Sequence, residues 1–362
     1  MDELISVPAA QPPNVPARLE PAETEYGFQF LGDAREYFRI WVVNLALSLV
    51  TLGIYSAWAK VRSERYFYGN TRVAGVPFEY LAKPLPILKG RVIAFTLFAA
   101  YVLAGQFSVK LQLGLAGVVA LLAPWLLVRG LMFRAHYSSW RALRFRFLAD
   151  YKGAYVCYLL WLVPVAFTLG LLFPMAKFKQ KQFLVEKHRF GGQGFRFFAT
   201  IGKYYPPYLI AGASMIGWVV AVSLVLGGLV FAIVRVSQTL PPAWFSFVVT
   251  MMVYAGYFVI WASLAAALAN ILYNNAEIGA HRFRSTLKGR RLFLIYLGNT
   301  AAILASAGLM IPWAKVRLAR YRARSLTLIA RGDLAALRAE AGRDIDAVGA
   351  EMDGLFDIDI GL

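Results

Sequence analysis

The sequence contains a single cysteine, Cys157, so it can form neither an internal disulfide nor a cysteine-based metal site. Its three histidines are scattered among basic segments without the spacing of a metal pair. The sequence also lacks a P-loop, an HExxH zinc motif and a GxSxG nucleophile elbow. We therefore predict no metal site and no cofactor, and the sequence gives no support for enzyme activity.

Charge is also scarce, because only 16% of the residues are charged while 59% are hydrophobic. A soluble protein of this size could not bury so much apolar surface. Tyr208–Val234 and Trp244–Tyr273 contain no Asp, Glu, Lys, Arg or His. Each is long enough to cross a hydrocarbon core of about 30 Å as a helix. The chain is predicted to be an integral membrane protein.

The charge that is present is distributed unevenly. Residues 26–332 carry 35 basic and 7 acidic residues, whereas the tails 1–25 and 333–362 are acidic. Because the basic residues lie between apolar spans, we expect anionic phospholipid headgroups as partners, and no nucleic acid. The acidic tails suggest a protein partner or a contact with the chain itself. Nothing in the sequence fixes an oligomeric state.

One short motif occurs three times, at spacings of 117 and 138 residues. Its copies read Trp58-Ala59-Lys60-Val61-Arg62, Met175-Ala176-Lys177-Phe178-Lys179 and Trp313-Ala314-Lys315-Val316-Arg317. Before each copy come an alternating aromatic and basic stretch and an apolar segment, and after it come short predicted strands. We interpret this order as an internal repeat. The predicted divisions are a disordered, Pro-rich acidic tail (1–25), unit 1 (26–142), unit 2 (143–280), a partial unit 3 (281–332) and an acidic tail (333–362).

Seven apolar segments allow two topologies. If all seven cross, the basic residues divide almost evenly between the two sides, contrary to the positive-inside rule. If the repeated segments 37–57, 154–174 and 292–312 instead enter and leave on one face, only Lys110 and Arg235 lie outside. We therefore predict an all-α polytopic protein with four transmembrane helices, three re-entrant or interfacial segments and short cytoplasmic β-segments. Both termini would be cytoplasmic, and seven transmembrane helices are the alternative.

Re-entrant segments need breaks and polar contacts within the membrane. Breaks are predicted at Gly53, Gly170, Gly308 and Pro164, where the helix can turn or loses a backbone donor. Asn44 and Asn299 lie inside the first and third segments. Their amides are expected to hydrogen-bond a neighbouring helix or to line a polar cavity.

The basic helix of each unit carries the candidate lipid or anion ligands. Lysine can bury its stem and reach outward, and tryptophan suits the headgroup level. The candidates are Trp58, Lys60, Arg62, Lys177, Lys179, Trp313, Lys315 and Arg317. They form either a site for a lipid phosphate or anionic substrate, or a set of interfacial anchors. Asp33 and Asp150, which precede two repeated segments, are expected to cap helix N-termini.

The first unit also carries a family pattern. It reads Glu36-Tyr37-Phe38, Trp41–Leu45, Thr51–Arg62 and Arg65–Thr71, and Ser139-Trp140-Arg141 follows. Over roughly residues 26–330 the chain resembles the bacterial YjgN family, also called domain of unknown function 898. The resemblance implies a polytopic inner-membrane protein of undetermined activity and supplies no catalytic residues. The middle copy departs from the pattern, with Met175 where the others have Trp.

Two functions from different classes remain open. The first is transport or lipid handling, with the repeated segments lining a cavity open to the cytoplasm, because transporters place their sites at broken helices. The alternative is a non-catalytic membrane scaffold or envelope-assembly protein that binds anionic lipid. A membrane enzyme acting on lipid has less support, since no acid–base pair is present.

Overall fold

The computed structural model describes residues 23–238, 242–332 and 334, and most of them are helical. The helices are α1 (Ala34–Val50), α2 (Ser56–Asn70), α3 (Pro84–Phe107), α4 (Val109–His136), α5 (Tyr151–Tyr155), α6 (Leu162–Phe167), α7 (Phe173–Glu186), α8 (Ile201–Ser237), α9 (Ala243–Asn274), α10 (Gly289–Ala305) and α11 (Ile311–Arg324), with a π-helical turn at Val156–Leu160. The strands are β1 (Glu23–Gly27), β2 (Gln29–Phe30), β3 (Thr71–Val73), β4 (Val76–Tyr80), β5 (Ser138–Trp140), β6 (Leu143–Phe147), β7 (His188–Phe190), β8 (Gln193–Phe197), β9 (Ala276–Ile278), β10 (His281–Ser285) and β11 (Leu326–Arg331).

The strands form one antiparallel sheet in the order β1-β11-β10-β9-β8-β7-β6-β5-β4-β3-β2. Only Phe28 separates β1 from β2, and its N–H donates to the carbonyl oxygen of Leu326 at 2.9 Å. Because β1 pairs with β11 and β2 pairs with β3, one stretch of chain holds both edges of the sheet. The sheet is therefore nearly closed into a ring, which protects edges that would otherwise pair with other chains.

This sheet corrects the all-α description. The mostly helical prediction is confirmed, and strands lie at the alternating stretches around Phe28–Phe30 and Arg144–Phe147. They are not separate short segments, however, because each β-hairpin pairs with the next along the described part of the chain. Such long-range pairing leaves no local signal in the sequence, so only the strands themselves could be predicted.

Alternation along the strands fills the ring with apolar side chains. Neighbouring residues of a strand point to opposite faces, so Phe145 turns inward while Arg144 and Arg146 turn outward. Phe145 and Phe190 are paired in register, with ring centroids 4.6 Å apart. The buried cluster at the centre consists of Val73, Trp140, Phe190, Ile278, Leu328, Ala330 and Leu334. The ring is a packed core with an arginine-rich outer face.

Five helical hairpins alternate with the strands: α1–α2, α3–α4, α5–α7, α8–α9 and α10–α11. Each hairpin packs on the next, and α11 packs on α1, so the helices form a second ring. In every hairpin the fourth residue of the first helix is buried next to the sheet. These residues are Tyr37, Ile87, Ala154, Tyr204 and Leu292.

Among the described residues, four helices are long and apolar enough to span a membrane, namely α3, α4, α8 and α9, and they form two of the hairpins. They have 24, 28, 37 and 32 residues. At about 1.5 Å per residue, even α3 is roughly 36 Å long, more than the hydrocarbon thickness. The prediction of four helices long and apolar enough to be transmembrane is confirmed. Lys110 and Arg235 lie at the ends of these hairpins farthest from the sheet.

The other three hairpins are shorter. The apolar segments 34–50, 151–167 and 289–305 each turn back through five residues into α2, α7 or α11, which leads to the next strand. A segment of 17 residues is about 26 Å long, slightly less than the hydrocarbon core. The tips expose apolar side chains, with Leu52 94% and Leu169 96% exposed. Each short hairpin therefore begins and ends on the side of the molecule where the sheet lies, and its turn is at the opposite end.

The acidic tails lie almost wholly outside the described residues, since nothing is described for 1–22 and 335–362. The structure does describe the inner ends of both predicted tails. Strand β1 begins at Glu23, and Leu334 packs into the core of the sheet ring. The remaining parts of the two tails stay sequence predictions.

Candidate anion-binding site

Helix α11 presents one face to a cavity of about 750 Å³ beside α10. Trp313, Arg317, Arg320 and Arg324 follow one another at intervals of four, three and four residues, which places them on a single helix face. Lys288 and Arg291, at the start of α10, line the opposite wall, and Asp33 and Ala34, at the start of α1, close the cavity. We call this cavity the α10–α11 pocket.

The α10–α11 pocket is strongly positive. Five basic side chains line it against the single carboxylate of Asp33. Within the described residues, none of the five forms an ion pair. Asp33 caps α1, accepting from the N–H groups of Arg35 at 2.7 Å and Glu36 at 3.3 Å. These bonds hold the pKa of Asp33 below its ordinary value. The negative charge of the carboxylate thus lies at the N-terminus of α1.

Neighbouring groups orient three of the guanidinium groups. Arg317 donates from Nη1 to Oδ1 of Asn299 at 3.2 Å and lies over the Trp313 ring, 5.0 Å from its centroid. Arg320 donates to the carbonyl oxygen of Gly32 at 2.9 Å. Arg291 lies over the ring of Tyr321 at 5.6 Å. Each guanidinium has five N–H donors, and the hydrogen bonds above, within the described residues, use at most one of them. The others can donate to oxygen atoms of a phosphate or carboxylate.

Tyr321 joins the two walls of the pocket. Its hydroxyl accepts from the backbone N–H of Lys288 at 2.9 Å and lies 3.2 Å from the carbonyl oxygen of the same residue. The start of α10 is thereby held against α11. Since Arg291 and Arg317 are on different helices, this link contributes to keeping their charges side by side.

The other predicted ligands do not gather at this pocket. Lys60 lines a separate cavity. Lys177 and Lys179 donate to glutamines of their own helix, Gln180 at 3.1 Å and Gln182 at 3.5 Å. The remaining three lie elsewhere: Trp58 stacks on Tyr55, and Arg62 and Lys315 are exposed outside the pocket. Of the eight candidates, only Trp313 and Arg317 share the α10–α11 pocket.

The two asparagines connect the arms of the short hairpins. Asn44 donates from Nδ2 to the carbonyl oxygen of Ala59 at 3.4 Å, and Asn299 donates to that of Ala314 at 3.1 Å. Both are buried, and neither lines the α10–α11 pocket. Each amide thus joins the two helices of its own hairpin by a hydrogen bond. Oδ1 of Asn299 holds Arg317, whereas Oδ1 of Asn44 has no partner among the described residues.

The three predicted glycine breaks lie in the turns of the short hairpins. Gly53, Gly170 and Gly308 have φ values of +91°, +89° and +93°, in the region that favours glycine. In the middle hairpin the helix is also interrupted earlier, at the π-helical turn that precedes Pro164. Proline has no N–H to continue the α-helical pattern, which accounts for an irregular turn just before it.

Sequence reasoning missed Lys288, Arg291, Arg320 and Arg324. The spacing of Arg317, Arg320 and Arg324 on one helix face was a usable signal, because residues three and four apart are neighbours on a helix. No signal was available for Lys288 and Arg291, which belong to another helix. Within the described part of the chain, no group of three or more His, Cys, Asp or Glu side chains is placed to hold a metal ion.

Four long apolar helices on a sheet with a basic outer face define a multi-pass membrane protein. The model of the family described as "Bacterial protein of unknown function (DUF898)" matches residues 25–355, so the chain belongs to that family. This confirms the resemblance seen in the sequence. Inner membrane protein YjgN of Escherichia coli O157:H7 is 32% identical over 152 residues, covering 40% of this chain and 36% of that protein.

A second relative, inner membrane protein YjgN of Salmonella typhimurium, is 29% identical over 143 residues, 39% of this chain and 36% of that protein. The chain therefore matches little more than a third of the length of these relatives. No solved structure matches. The relatives support an inner-membrane location.

Proposed function

We propose that this protein binds anionic phospholipid headgroups in the α10–α11 pocket, as part of lipid handling or transport. The observation that carries the proposal is the set of five basic side chains without an ion-pair partner in the described residues, at the base of a short apolar hairpin. Grouped cations repel one another, and a phosphate that receives their hydrogen bonds relieves that repulsion.

The shape of the hairpin favours a lipid over a free anion. From Arg324 at the sheet to Trp313 the pocket follows α11 over 11 residues, or about 16 Å. Beyond Trp313 the surface becomes apolar, with Leu304 74% and Leu309 54% exposed. A ligand with an anionic head and acyl chains matches this change along the hairpin. Trp313 lies where an aromatic ring suits the membrane interface.

We place the pocket on the cytoplasmic side. The basic residues of the short hairpins and of the sheet share one side of the molecule, whereas Lys110 and Arg235 are at the far ends of the long hairpins. The positive-inside rule assigns the side that is richer in Lys and Arg to the cytoplasm. The tips of the short hairpins then enter the inner leaflet without crossing it, and both ends of the described chain are cytoplasmic.

The test is retention of anionic lipid by the purified protein. Arg291→Gln/Arg324→Gln removes two charges from the pocket, and the control Arg62→Gln/Lys315→Gln removes two exposed charges from equivalent helices. Native mass spectrometry with added phosphatidylglycerol should show about tenfold weaker binding in the pocket variant only. Equal binding by both variants would contradict the proposal.

A membrane scaffold is the second candidate, and the outer face of the sheet favours it. Arg146 and Arg189 lie directly opposite each other in register, and no acidic residue pairs with either within the described chain. Like charges at such positions are destabilising, so an acidic protein partner would be favoured there. Arg146→Gln/Arg189→Gln should then reduce capture of cross-linked partners while phosphatidylglycerol binding is unchanged.

A further inference from the structure

A second polar cavity of about 300 Å³ lies between α2 and α4. It is on the other side of the α1–α2 hairpin from the α10–α11 pocket. Its polar walls come from three elements, with Lys60, Glu64 and Tyr68 on α2, Tyr80 on β4 and Arg134 on α4. Apolar residues complete the lining: Leu127, Leu131 and Phe133.

The charges in this cavity do not cancel. Lys60 and Glu64 are one helical turn apart, yet within the described residues neither they nor Arg134 form an ion pair. Lys60 is half-buried, and its pKa is lowered by burial and then by the nearby guanidinium groups of Arg91 and Arg134. The two guanidinium groups add to the effect of burial, whereas Glu64 opposes it.

Tyrosine supplies a neutral donor to the same space. Tyr80 is only 7% exposed, and burial raises its pKa to about 12. Its hydroxyl therefore stays protonated at physiological pH and can donate a hydrogen bond. The Tyr68 hydroxyl lies 3.2 Å from Oγ of Ser138, which itself donates to the carbonyl oxygen of Arg134. This chain of contacts helps to position the Arg134 segment against α2.

We infer that this cavity binds a phosphate group, with Lys60 and Arg134 as the charged donors and Tyr80 as the neutral one. Glu64 accepts the remaining P–OH proton or a neighbouring hydroxyl of the ligand, so a singly protonated phosphate or a phosphate ester suits the site better than a fully ionised one. The cavity has the volume of about ten waters, enough for a phosphate and a small polar group but too little for acyl chains.

The experiment separates a free phosphate from a lipid headgroup. Lys60→Gln and Arg134→Gln are compared with Arg62→Gln, which removes an exposed charge from α2. All are made in the Arg291→Gln/Arg324→Gln background, so that the α10–α11 pocket does not contribute. Binding of inorganic phosphate is measured by calorimetry, and binding of phosphatidylcholine vesicles with and without phosphatidic acid is measured by flotation.

Both cavity variants should weaken binding about tenfold or more, while Arg62→Gln should leave it unchanged. If the cavity variants weaken binding of inorganic phosphate, the ligand is a free phosphate or a phosphate ester. If they weaken only the binding of vesicles that contain phosphatidic acid, the ligand is a lipid headgroup. Glu64→Gln should strengthen binding of fully ionised phosphatidic acid, which has no P–OH proton to donate to Glu64, and this is the opposite direction from a folding defect. Equal binding by Lys60→Gln, Arg62→Gln and Glu64→Gln, or no binding of either probe, would overturn the inference.

Discussion

Arg317 is held by Asn299, with 3.2 Å between Nη1 of the arginine and Oδ1 of the asparagine. The same asparagine donates to the carbonyl oxygen of Ala314 on the opposite arm of the hairpin. One buried amide thus joins the two helices and orients a charge of the α10–α11 pocket. Asn44 makes only the corresponding carbonyl contact in the first hairpin. Comparing Asn44 with Asn299 therefore separates the effect of helix packing from the effect of holding Arg317 in the pocket.

Asn299→Ala should therefore affect both stability and binding. We expect it to lower the free energy of unfolding by about 1–3 kcal/mol, because it removes a buried hydrogen bond between the two helices and the hydrogen bond that holds the Arg317 guanidinium. Phosphatidylglycerol binding should also weaken, since Arg317 loses its anchor. Asn44→Ala should reduce stability alone. Denaturation in detergent and native mass spectrometry measure the two effects, and identical lipid binding in both variants would contradict the role given to Asn299.

Labelling of single cysteines tests the topology. In a Cys157→Ser background, cysteines at Lys110 and Arg235 should react with an impermeant thiol reagent added to intact cells. Cysteines at Lys187 and Arg284, on the sheet side, should react only after the membrane is opened. External labelling at Lys187 would show that the middle apolar segment crosses the bilayer and would refute the re-entrant arrangement.

The hairpin tips should enter the lipid. Leu52 and Leu169 are almost fully exposed and sit in the turns, so an environment-sensitive fluorophore on a cysteine at either position should emit at shorter wavelength. Spin-labelled lipid should quench it, because the tip is in contact with acyl chains. A fluorophore at Arg189, on the outer face of the sheet, is the control and should show water-like emission. Water-like emission from the tips would contradict membrane entry.

The turn glycines can be tested against a helical glycine. Gly170 has a φ of +89°, where an L side chain is strained, so Gly170→Ala should cost about 1–2 kcal/mol of stability. Gly114 lies within α4 with open space around it, and Gly114→Ala should be neutral or stabilising by up to about 1 kcal/mol. Thermal denaturation of the two variants checks the sign, and equal midpoints would argue against a required turn.

The buried His281 and the half-buried His188 predict an acid-sensitive fold. Burial lowers the pKa of both His281 and His188, and Nδ1 of His281 has no partner among the described residues. In the unfolded chain they titrate near 6.5, so below that pH the unfolded state binds more protons than the folded one. Stability should be complete above this value and fall as the pH drops through it.

The matching variant is His188→Gln/His281→Gln, which cannot gain these protons. Its free energy of unfolding should change less than that of the wild type between roughly pH 7 and pH 5. Chemical denaturation at several pH values in the same detergent gives the comparison. The same slope in both proteins would assign the acid sensitivity to other groups.

Local features of the chain were predictable because each rests on neighbouring residues. The uncharged run Tyr208–Val234 lies within the spanning helix α8, and Asp33 and Asp150 cap helices as their position predicted. The alternation at Arg144–Phe147 predicted a strand with an apolar face. The closure of the sheet was not predictable, because it pairs Glu23 with Arg331, at opposite ends of the described chain.

The sequence by itself determined that this chain is a membrane protein and where its long apolar helices lie, since hydrophobicity acts residue by residue. Only the tertiary structure decided that the strands nearly close into a ring, and that Lys288 and Arg291 face Arg317 and Arg324. The reason is physical: a helix face has a sequence period, but the partner of that face depends on a turn and on long-range pairing. The turn at Gly308 and the link from Tyr321 to Lys288 bring the two walls of the pocket together.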